Sequence, residues 1–382
     1  MYPKRISKGT TTQGPRPWRC SSGRWNRKWW TELNKTGLKI VTKPTVNDIA
    51  RVAGVSLATV DRVLNERPGV RSATINKVHA AIAELGYIRD TAAANLARRR
   101  VYNLLFVLPD TTNEFVQALR HQITEQAEKL ANERTELSLA LAAPFDAQDF
   151  VAVLDRIDPQ ETDGVAIFSP ETPSVRDAIN RVRDKGIAVV TLVSDLPSSD
   201  RDHFVGIDNV AAGRTAAQLM GRFIRRPGKI LFIAGSRFAR DHLERRQGFD
   251  LVMNDQFPDL DVVASFEGRD DPDLIHRLLP EVFENHANIC GIYSSAAGNE
   301  GLIRHLKDRK AADDIVVIGH ELTPLSRAAL QDGYFDAVIN QDSGHLVRSC
   351  ARLLRATADS APYNPAQERI RIDIYIKENM LP

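Results

Sequence analysis

Apolar residues recur at intervals of three and four between residues 45 and 86, the spacing of one buried helical face. The stripe of the first predicted helix consists of Val46, Ile49, Ala50 and Ala53. Thr45 precedes this stripe as a capping residue, and Gly54 ends it because glycine enters the left-handed conformation at little cost. A third predicted helix starts at a Ser72 cap and stops at Gly86.

The second helix of this segment has two chemically different faces. Ser56 caps it, and Val60, Val63 and Leu64 cluster on one side. The other side carries Leu57, Ala58, Asp61, Arg62 and Asn65. An outward set of apolar, charged and amide groups suits contacts with methyl groups, phosphates and base edges in a DNA major groove, although a solvated helix face has the same pattern.

From residue 102 onward, short apolar runs alternate with helical stretches. The predicted strands are 103–108, 136–141, 164–168, 187–193, 229–234, 261–264, 289–293 and 315–319. This alternation predicts parallel sheets with right-handed crossovers. Ligands of such sheets bind beyond the carboxyl ends of the strands, so the loops after the strands are the candidate site.

The overall composition is ordinary for a globular protein of two or three compact units. The charges, however, are distributed unevenly along the chain. The net charge is +10 over residues 1–43, +4 over residues 44–100 and −12 over the remainder. Positive charge therefore lies at the end that would meet phosphates.

Three scattered cysteines predict neither a disulfide framework nor a metal site, and no cofactor is indicated. No apolar run resembles a membrane span or a signal peptide, which favours a cytoplasmic protein without membrane contact.

Residues 1–43 are predicted to be a disordered basic extension. They contain all four tryptophans, several prolines and glycines, and no sustained hydrophobic period. Two interpretations stay open: a basic, aromatic tail that adds non-specific nucleic-acid affinity, or an unused upstream extension with translation starting near Val41. The second is favoured because residues 41–44 lead directly into the cap at Thr45.

The helical segment resembles the helix-turn-helix of the lactose repressor (LacI/GalR) family. The matching residues are Asp48-Ile49-Ala50, Ala53-Gly54-Val55-Ser56, Thr59-Val60, Arg62-Val63-Leu64-Asn65, Gly86-Tyr87 and Asn95-Leu96-Ala97. Asp61 replaces the family's usual serine, and Arg89 replaces a proline before the hinge. The resemblance implies a small all-α helix-turn-helix head at 44–90, a hinge helix and linker at 91–101, and an α/β two-lobed, periplasmic-binding-protein-like (type I) core at 102–382 for effector binding and dimerisation. The DNA-binding residues that it implies are Thr45, Ser56, Leu57, Ala58, Thr59, Asp61, Arg62, Asn65, Asn95 and Leu96.

The polar loops after the predicted strands resemble the effector site of the same family. The effector-binding residues that this implies are Asn113, Phe115, Asp195, Asp208, Arg245, Ser295, His320, Glu321 and Gln341. Two of these have a structural alternative: Asp208 is also placed to cap a helix near Ala211, and Arg245 to form salt bridges with Asp241 or Glu244. Paired acids and amides favour a sugar or polyol, since they satisfy hydroxyl groups.

We therefore expect a DNA-binding transcriptional regulator, a repressor, that is a homodimer on a palindromic operator and answers to a small molecule. An alternative within the family is a regulator that answers to a partner protein. A solute-binding protein shares the core but lacks the head. An enzyme is disfavoured because the chain contains no nucleotide-binding glycine loop, nucleophile elbow or H-E-x-x-H motif.

Overall fold

The computed structural model describes residues 44–64, 67–87, 100–309 and 315–380. The chain divides into two compact units, Met1–Asp90 and Thr91–Pro382. The predictions for residues 1–43, for Asn65 and for the hinge residues Asn95 and Leu96 lie outside the described residues.

The smaller unit, called the head below, contains three helices in its described part: α1 (Val46–Ala53), α2 (Leu57–Leu64) and α3 (Ser72–Leu85). Its core is formed by Ile49, Val60, Val63, Val78 and Ala81. The two hydrophobic stripes predicted for the first two helices therefore face inward as expected.

The ends of these helices follow the predicted signals with one exception. Thr45 and Asp48 form a reciprocal capping box on α1, and Gly54 ends that helix in the left-handed conformation, at φ 65°. The Ser56 hydroxyl accepts from the Thr59 backbone N–H at the start of α2. The predicted Ser72 cap is wrong: Arg71 precedes α3 without a side-chain cap bond, and Ser72 is already helical.

The first lobe of the larger unit is a five-stranded parallel sheet flanked by helices. Its strands are β1 (Tyr102–Pro109), β2 (Thr135–Ala142), β3 (Gly164–Ile167), β4 (Ala188–Leu192) and β5 (His203–Val205), in the order β2-β1-β3-β4-β5. The helices between these strands are α4 (Glu114–Ala131), α5 (Ala147–Asp155) and α6 (Pro173–Asp184).

The second lobe has a six-stranded sheet. Its strands are β6 (Gly228–Ala234), β7 (Leu260–Glu267), β8 (Ile289–Ser294), β9 (Val316–His320), β10 (Ala337–Asn340) and β11 (Asp373–Tyr375), in the order β11-β10-β9-β8-β6-β7, with β11 antiparallel. Its main helices are α7 (Asn209–Phe223), α8 (Arg240–Gln256), α9 (Pro272–Asn285), α10 (Asn299–Arg309) and α11 (Pro324–Gln331).

The chain passes repeatedly between the lobes, which makes each lobe discontinuous in sequence. It leaves the first lobe before α7 and returns after β10 to form α12 (Ser343–Ala358), which packs on β3 and β4. After the short α13 (Pro365–Glu368) it ends in the second lobe with β11 and a 3₁₀ turn at Lys377–Asn379. All eight predicted strands are present, whereas β5, β10 and β11 were not predicted.

Helices α7 and α8 cross without any space for side chains at the crossing point. A Cβ atom on Gly213 would lie 1.9 Å from the Arg245 carbonyl oxygen, and one on Gly248 would lie 2.0 Å from the Val210 carbonyl oxygen. Glycine at both positions therefore lets the two backbones touch. This contact fixes the position of Arg245 relative to α7.

We expect Gly213→Ala and Gly248→Ala each to destabilise the protein by about 3 kcal/mol or more, because an added methyl group would force the helices apart. Urea denaturation of the full chain measures the effect, with Arg222→Ala on the exposed side of α7 as the control. A change no larger than that of the control would contradict the close crossing.

Candidate functional site

A cavity of about 250 Å³ lies between the carboxyl ends of the two sheets. The first lobe contributes mainly apolar groups to its lining. These are Pro109, Phe115, Val116, Pro144, Phe145, Phe150, Phe168, Pro170 and Val193. Several aromatic rings on one side provide apolar surface suited to the C–H face of a small ligand.

The second lobe contributes the charged side of the cavity, centred on Arg245. Its Nε donates to the Asn209 Oδ1 at 3.0 Å, and its Nη1 donates to the Ser295 carbonyl at 2.7 Å. Its Nη2 lies 3.8 Å from Asp241 and 3.9 Å from Glu321. A buried guanidinium is stable only with such partners, so the surrounding acceptors hold it in one orientation.

Three buried polar atoms of the cavity residues have no hydrogen-bond partner among the described residues: Ser169 Oγ, Asp241 Oδ1 and His320 Nδ1. The His320 Nε2 lies 2.8 Å from the Tyr293 hydroxyl. Burial, and then Arg245 and His242, lower the pKa of His320 well below its usual value, so the ring is neutral. If the Tyr293 hydroxyl donates to Nε2, the His320 Nδ1 carries a proton. The cavity then offers an unused acceptor on Asp241, an unused donor on His320 and the Ser169 hydroxyl, which can donate or accept; ligand hydroxyl groups satisfy all three.

Glu321 follows β9 in the left-handed backbone region, at φ 64°. The Gln341 side chain donates to its carboxylate at 2.8 Å. Burial raises the pKa of Glu321 to about 7, against the lowering effects of Arg245 and Gln341. This carboxyl group therefore changes charge near neutral pH.

Five of the nine sequence-predicted effector residues line the cavity: Asn113, Phe115, Arg245, His320 and Glu321. Asn113 also caps α4 by accepting from the Phe115 backbone N–H at 2.9 Å. Its Nδ2 donates across the cleft to Asp270 Oδ2 at 3.0 Å.

The structure places the other four outside the cavity lining. Arg201 holds Asp195 through two hydrogen bonds, and Asp208 caps α7 by accepting from the Ala211 backbone N–H at 2.8 Å. The Ser295 hydroxyl donates to the Ile233 carbonyl at 3.1 Å. Gln341 lies behind Glu321. For Asp208 the structure therefore shows the capping alternative, and Ser295 and Gln341 support groups that do line the cavity.

The main lining residues that sequence reasoning missed are Asp241, His242, Asp270 and the aromatic residues Phe145, Phe150 and Phe168. Asp241 precedes Arg245 by one helical turn on α8, so the two side chains share a face. Helical spacing could thus have identified Asp241 as a cavity residue and not only as a salt-bridge partner. Phe168 could have been found because it directly follows β3.

The rim of the cleft is bridged by direct contacts between the lobes. Arg240 at the start of α8 pairs with Glu171 of the first lobe at 3.2 Å. The Glu171 backbone N–H donates to the Phe238 carbonyl at 2.9 Å, and the Asp241 backbone N–H lies 3.4 Å from the Ser194 hydroxyl oxygen. The structure thus shows the lobes in contact at their rim.

The outer face of α2 is the second candidate surface and lies on the head. Ser56, Ala58 and Arg62 are exposed, and Leu57 is 50% exposed. Asp61 pairs with Arg67 at 3.2 Å. The Thr45 and Thr59 hydroxyls lie close to Asp48 and Ser56 respectively, in the caps of their own helices.

The chain thus combines a helix-turn-helix domain with a two-lobed α/β core that has a polar cleft. The periplasmic binding protein domain matches residues 104–361, and the lacI family of bacterial regulatory proteins matches residues 45–90. The chain belongs to the lacI family of regulators with a periplasmic-binding-protein-like core, as the sequence motifs predicted.

Among curated proteins, the chain is 29% identical to the HTH-type transcriptional regulator DegA of Bacillus subtilis over 46% of this chain and 51% of DegA. It is 25% identical to catabolite control protein A of Priestia megaterium over 74% of this chain and 83% of that protein. The alignments cover about half to three fifths of the length of DegA and of the regulator RegA of Clostridium saccharobutylicum.

Solved structures share the fold of the core. A solute-binding protein from Burkholderia graminis in complex with D-arabinose matches with a TM-score of 0.67 at 22% identity, over 73% of this chain and 96% of that chain. GanP, a glucose-galactose binding protein from Geobacillus stearothermophilus, matches with a TM-score of 0.67 at 18% identity, over 74% and 99%. In the described parts of the present chain, no helix is both long and apolar enough to cross a membrane.

We expect the stability of the protein to depend on the Glu321 carboxyl group. Because its pKa is raised in the folded protein, its contribution is most favourable below the pKa of the unfolded chain and is lost as pH rises through about 7. Relative to the native protein, Glu321→Gln should therefore gain up to ~3 kcal/mol between pH 4.5 and pH 8, the order implied by the raised pKa. Urea denaturation across this range measures the gain, with the exposed Glu114→Gln as the control. A stability difference independent of pH would show that Glu321 does not titrate in this window.

Proposed function

We propose that this protein is a sequence-specific DNA-binding transcriptional regulator, a repressor and not an enzyme, whose operator affinity is set by a sugar or polyol. The observation that carries the proposal is the presence, in one chain, of an outward-facing helix-turn-helix and a two-lobed cleft with an aromatic and a charged side. The helical head alone would not distinguish a regulator from an unrelated helical domain. The two-lobed cleft alone would not distinguish it from a solute-binding protein.

The exposed side of α2 supports the DNA-binding half of the proposal. Val60 and Val63 anchor the helix in the head, which leaves Leu57, Ala58 and Arg62 exposed. An apolar pair beside a guanidinium fits thymine methyl groups and guanine or phosphate oxygens. Asp61 is held by Arg67, so in this proposal it orients that arginine as well as facing the groove.

The cleft supports the sugar half of the proposal. Aromatic rings face the C–H surface of a sugar, while Asp241, Arg245, His320 and Glu321 offer acceptors and donors to its hydroxyls. The unpaired atoms on Asp241 and His320 favour a ligand with several hydroxyl groups, since each unpaired buried polar atom is costly. The names of the structural neighbours above, which include binding proteins for arabinose and for glucose and galactose, agree with this class.

The quaternary part of the proposal follows from the geometry of DNA. One small head reads only a few base pairs, so a homodimer that reads two half-sites of a palindromic operator supplies the missing specificity. Residues 91–101 act as the hinge and residues 102–382 as the effector-binding and dimerisation core. Leu96 enters the minor groove at the dimer axis in this proposal. The protein acts in the cytoplasm, where the DNA is.

The direct experiment selects operator sequences from a random DNA library with the full-length protein and then titrates sugars and polyols against the complex. We expect enrichment of a two-fold symmetric site and its release by at least one sugar. Enrichment of no sequence, or a complex that no sugar or polyol affects, would refute the corresponding half of the proposal.

Leu57→Ala should weaken binding to the selected operator by about 1–3 kcal/mol while leaving non-specific DNA binding and stability unchanged, because the side chain is exposed and contacts a base. Fluorescence anisotropy with specific and random duplexes measures both affinities. Val52→Ala, which removes another exposed apolar side chain from the head, is the matched control. Equal losses on both duplexes would assign Leu57 to general contact and not to sequence reading.

Asp241→Asn should lower effector affinity by ~1–3 kcal/mol, because the unpaired carboxylate oxygen accepts from a ligand hydroxyl, and should leave operator binding without effector intact. Calorimetry with the releasing sugar measures the change. Asp195→Asn is the control, since Arg201 holds that carboxylate outside the cavity. A loss in Asp195→Asn as large as in Asp241→Asn would restore Asp195 as a ligand contact.

A further inference from the structure

The cavity is strongly biased towards negative charge. The carboxylate residues in its described lining are Glu114, Asp241, Asp270, Glu300 and Glu321. Against them stands Arg245, the one lysine or arginine among the described residues that line the cavity. Glu114 and Glu300 are exposed at the mouth, where water and salt screen them. The three deeper carboxyl groups therefore decide which ligand charge the cavity accepts.

The charge of Arg245 is already offset within the protein. Asp241 and Glu321 flank the guanidinium at 3.8 and 3.9 Å, and two further acceptors, the Asn209 side chain and the Ser295 carbonyl, bond to its Nε and Nη1. An anionic ligand would compete with these carboxylates for the same cation. Above neutral pH, the site would then place two fixed negative charges beside the incoming one.

The remaining deep carboxylate, Asp270, is bonded but not neutralised. It accepts from the Asn113 Nδ2 at 3.0 Å and from the Ala297 backbone N–H at 3.2 Å, and neither donor carries a positive charge. His320 is neutral and adds no compensating charge. His242 also lines the cavity, with its Nε2 3.5 Å from Asp241 Oδ2, but a charge on that ring would still leave three deep carboxylates against two cations. The interior of the cleft is thus net negative, and its free hydrogen-bonding positions include an acceptor on Asp241 that a phosphate or carboxylate oxygen cannot satisfy.

From this arrangement we infer that the effector is an uncharged polyhydroxylated molecule and that the cleft rejects its phosphorylated and carboxylate forms. The inference rests on the proposed sugar-responsive function and restricts the effector of that function to uncharged molecules. A reaction that transfers a phosphoryl group to the sugar, or oxidises it to an acid, would then remove the signal. The regulator would report the free sugar and not its anionic products.

The test uses matched pairs of ligands at pH 8 and calorimetry on the full-length protein. Each pair consists of a free sugar and an anionic counterpart: D-arabinose with D-arabinose 5-phosphate, D-glucose with D-glucose 6-phosphate, and D-glucose with D-gluconate. We expect the free sugar to bind at least about 100-fold more tightly than its anionic counterpart, because like-charge contacts in a desolvated site cost several kcal/mol.

Two variants identify the cause of the discrimination: one removes a charge from the cavity, and the control removes a charge far from it. Glu321→Gln removes a charge beside Arg245 and should lower the ratio of free-sugar to anion affinity about tenfold. Asp259→Asn removes an equal charge just before β7, at the end of the sheet opposite the cavity, and should leave the ratio unchanged. A ratio unaffected by Glu321→Gln would overturn the electrostatic basis of the inference.

The outcomes separate this inference from the proposed function. Binding of an anionic counterpart as tightly as its free sugar would overturn the inference and leave a sugar-responsive regulator in place. Binding of no sugar of either kind would overturn both the inference and the sugar half of the proposed function. Discrimination of about 100-fold that falls in Glu321→Gln supports the inference.

Discussion

The arrangement of the cleft depends on one buried cation. Arg245 is 3% exposed, and a guanidinium at that depth is stable only when carboxylates and carbonyls surround it. Its neighbours come from four places in the chain: α7, the start of α8, the end of β8 and the turn after β9. The residues that satisfy the arginine are therefore also the ones that assemble the polar side of the cavity.

The backbone around Arg245 fixes its buried position in the second lobe. The crossing of α7 and α8 at Gly213 and Gly248 brings the Arg245 carbonyl against α7, so the arginine cannot shift along the lobe without separating the helices. The left-handed turn at Glu321 brings a second carboxylate to the guanidinium from β9. The head has a simpler requirement, since a few buried side chains suffice to fix α2 and leave its outer face exposed to solvent.

The sequence predicted elements with strong local signals, and two of the three strands that it missed are defined by long-range contacts. The stripes of α1 and α2 and the buried runs of β1, β3 and β8 were recognisable because period and burial coincide. The strands β5 and β11, of three residues each, become strands only by pairing with β4 and β10, which no local pattern shows.

The same distinction holds for the cavity. Arg245 and Phe115 were identified from motif positions, and the structure places both in the lining. Asp195 and Asp208 were reasonable candidates by type, but a carboxylate beside an arginine or at a helix start can serve the fold instead, and only the three-dimensional arrangement shows which. Asp270 was not predicted because its proximity to Asn113 arises from the meeting of two lobes.

In the proposed regulator, ligand binding in the cleft and operator binding by the head are thermodynamically coupled. The most direct test measures operator affinity with and without saturating free sugar, and sugar affinity with and without saturating operator, on the same full-length protein. The account predicts that both affinities change by the same factor, in the range of about 5- to 150-fold, as linkage requires. Operator affinity that is identical with and without bound sugar would contradict it.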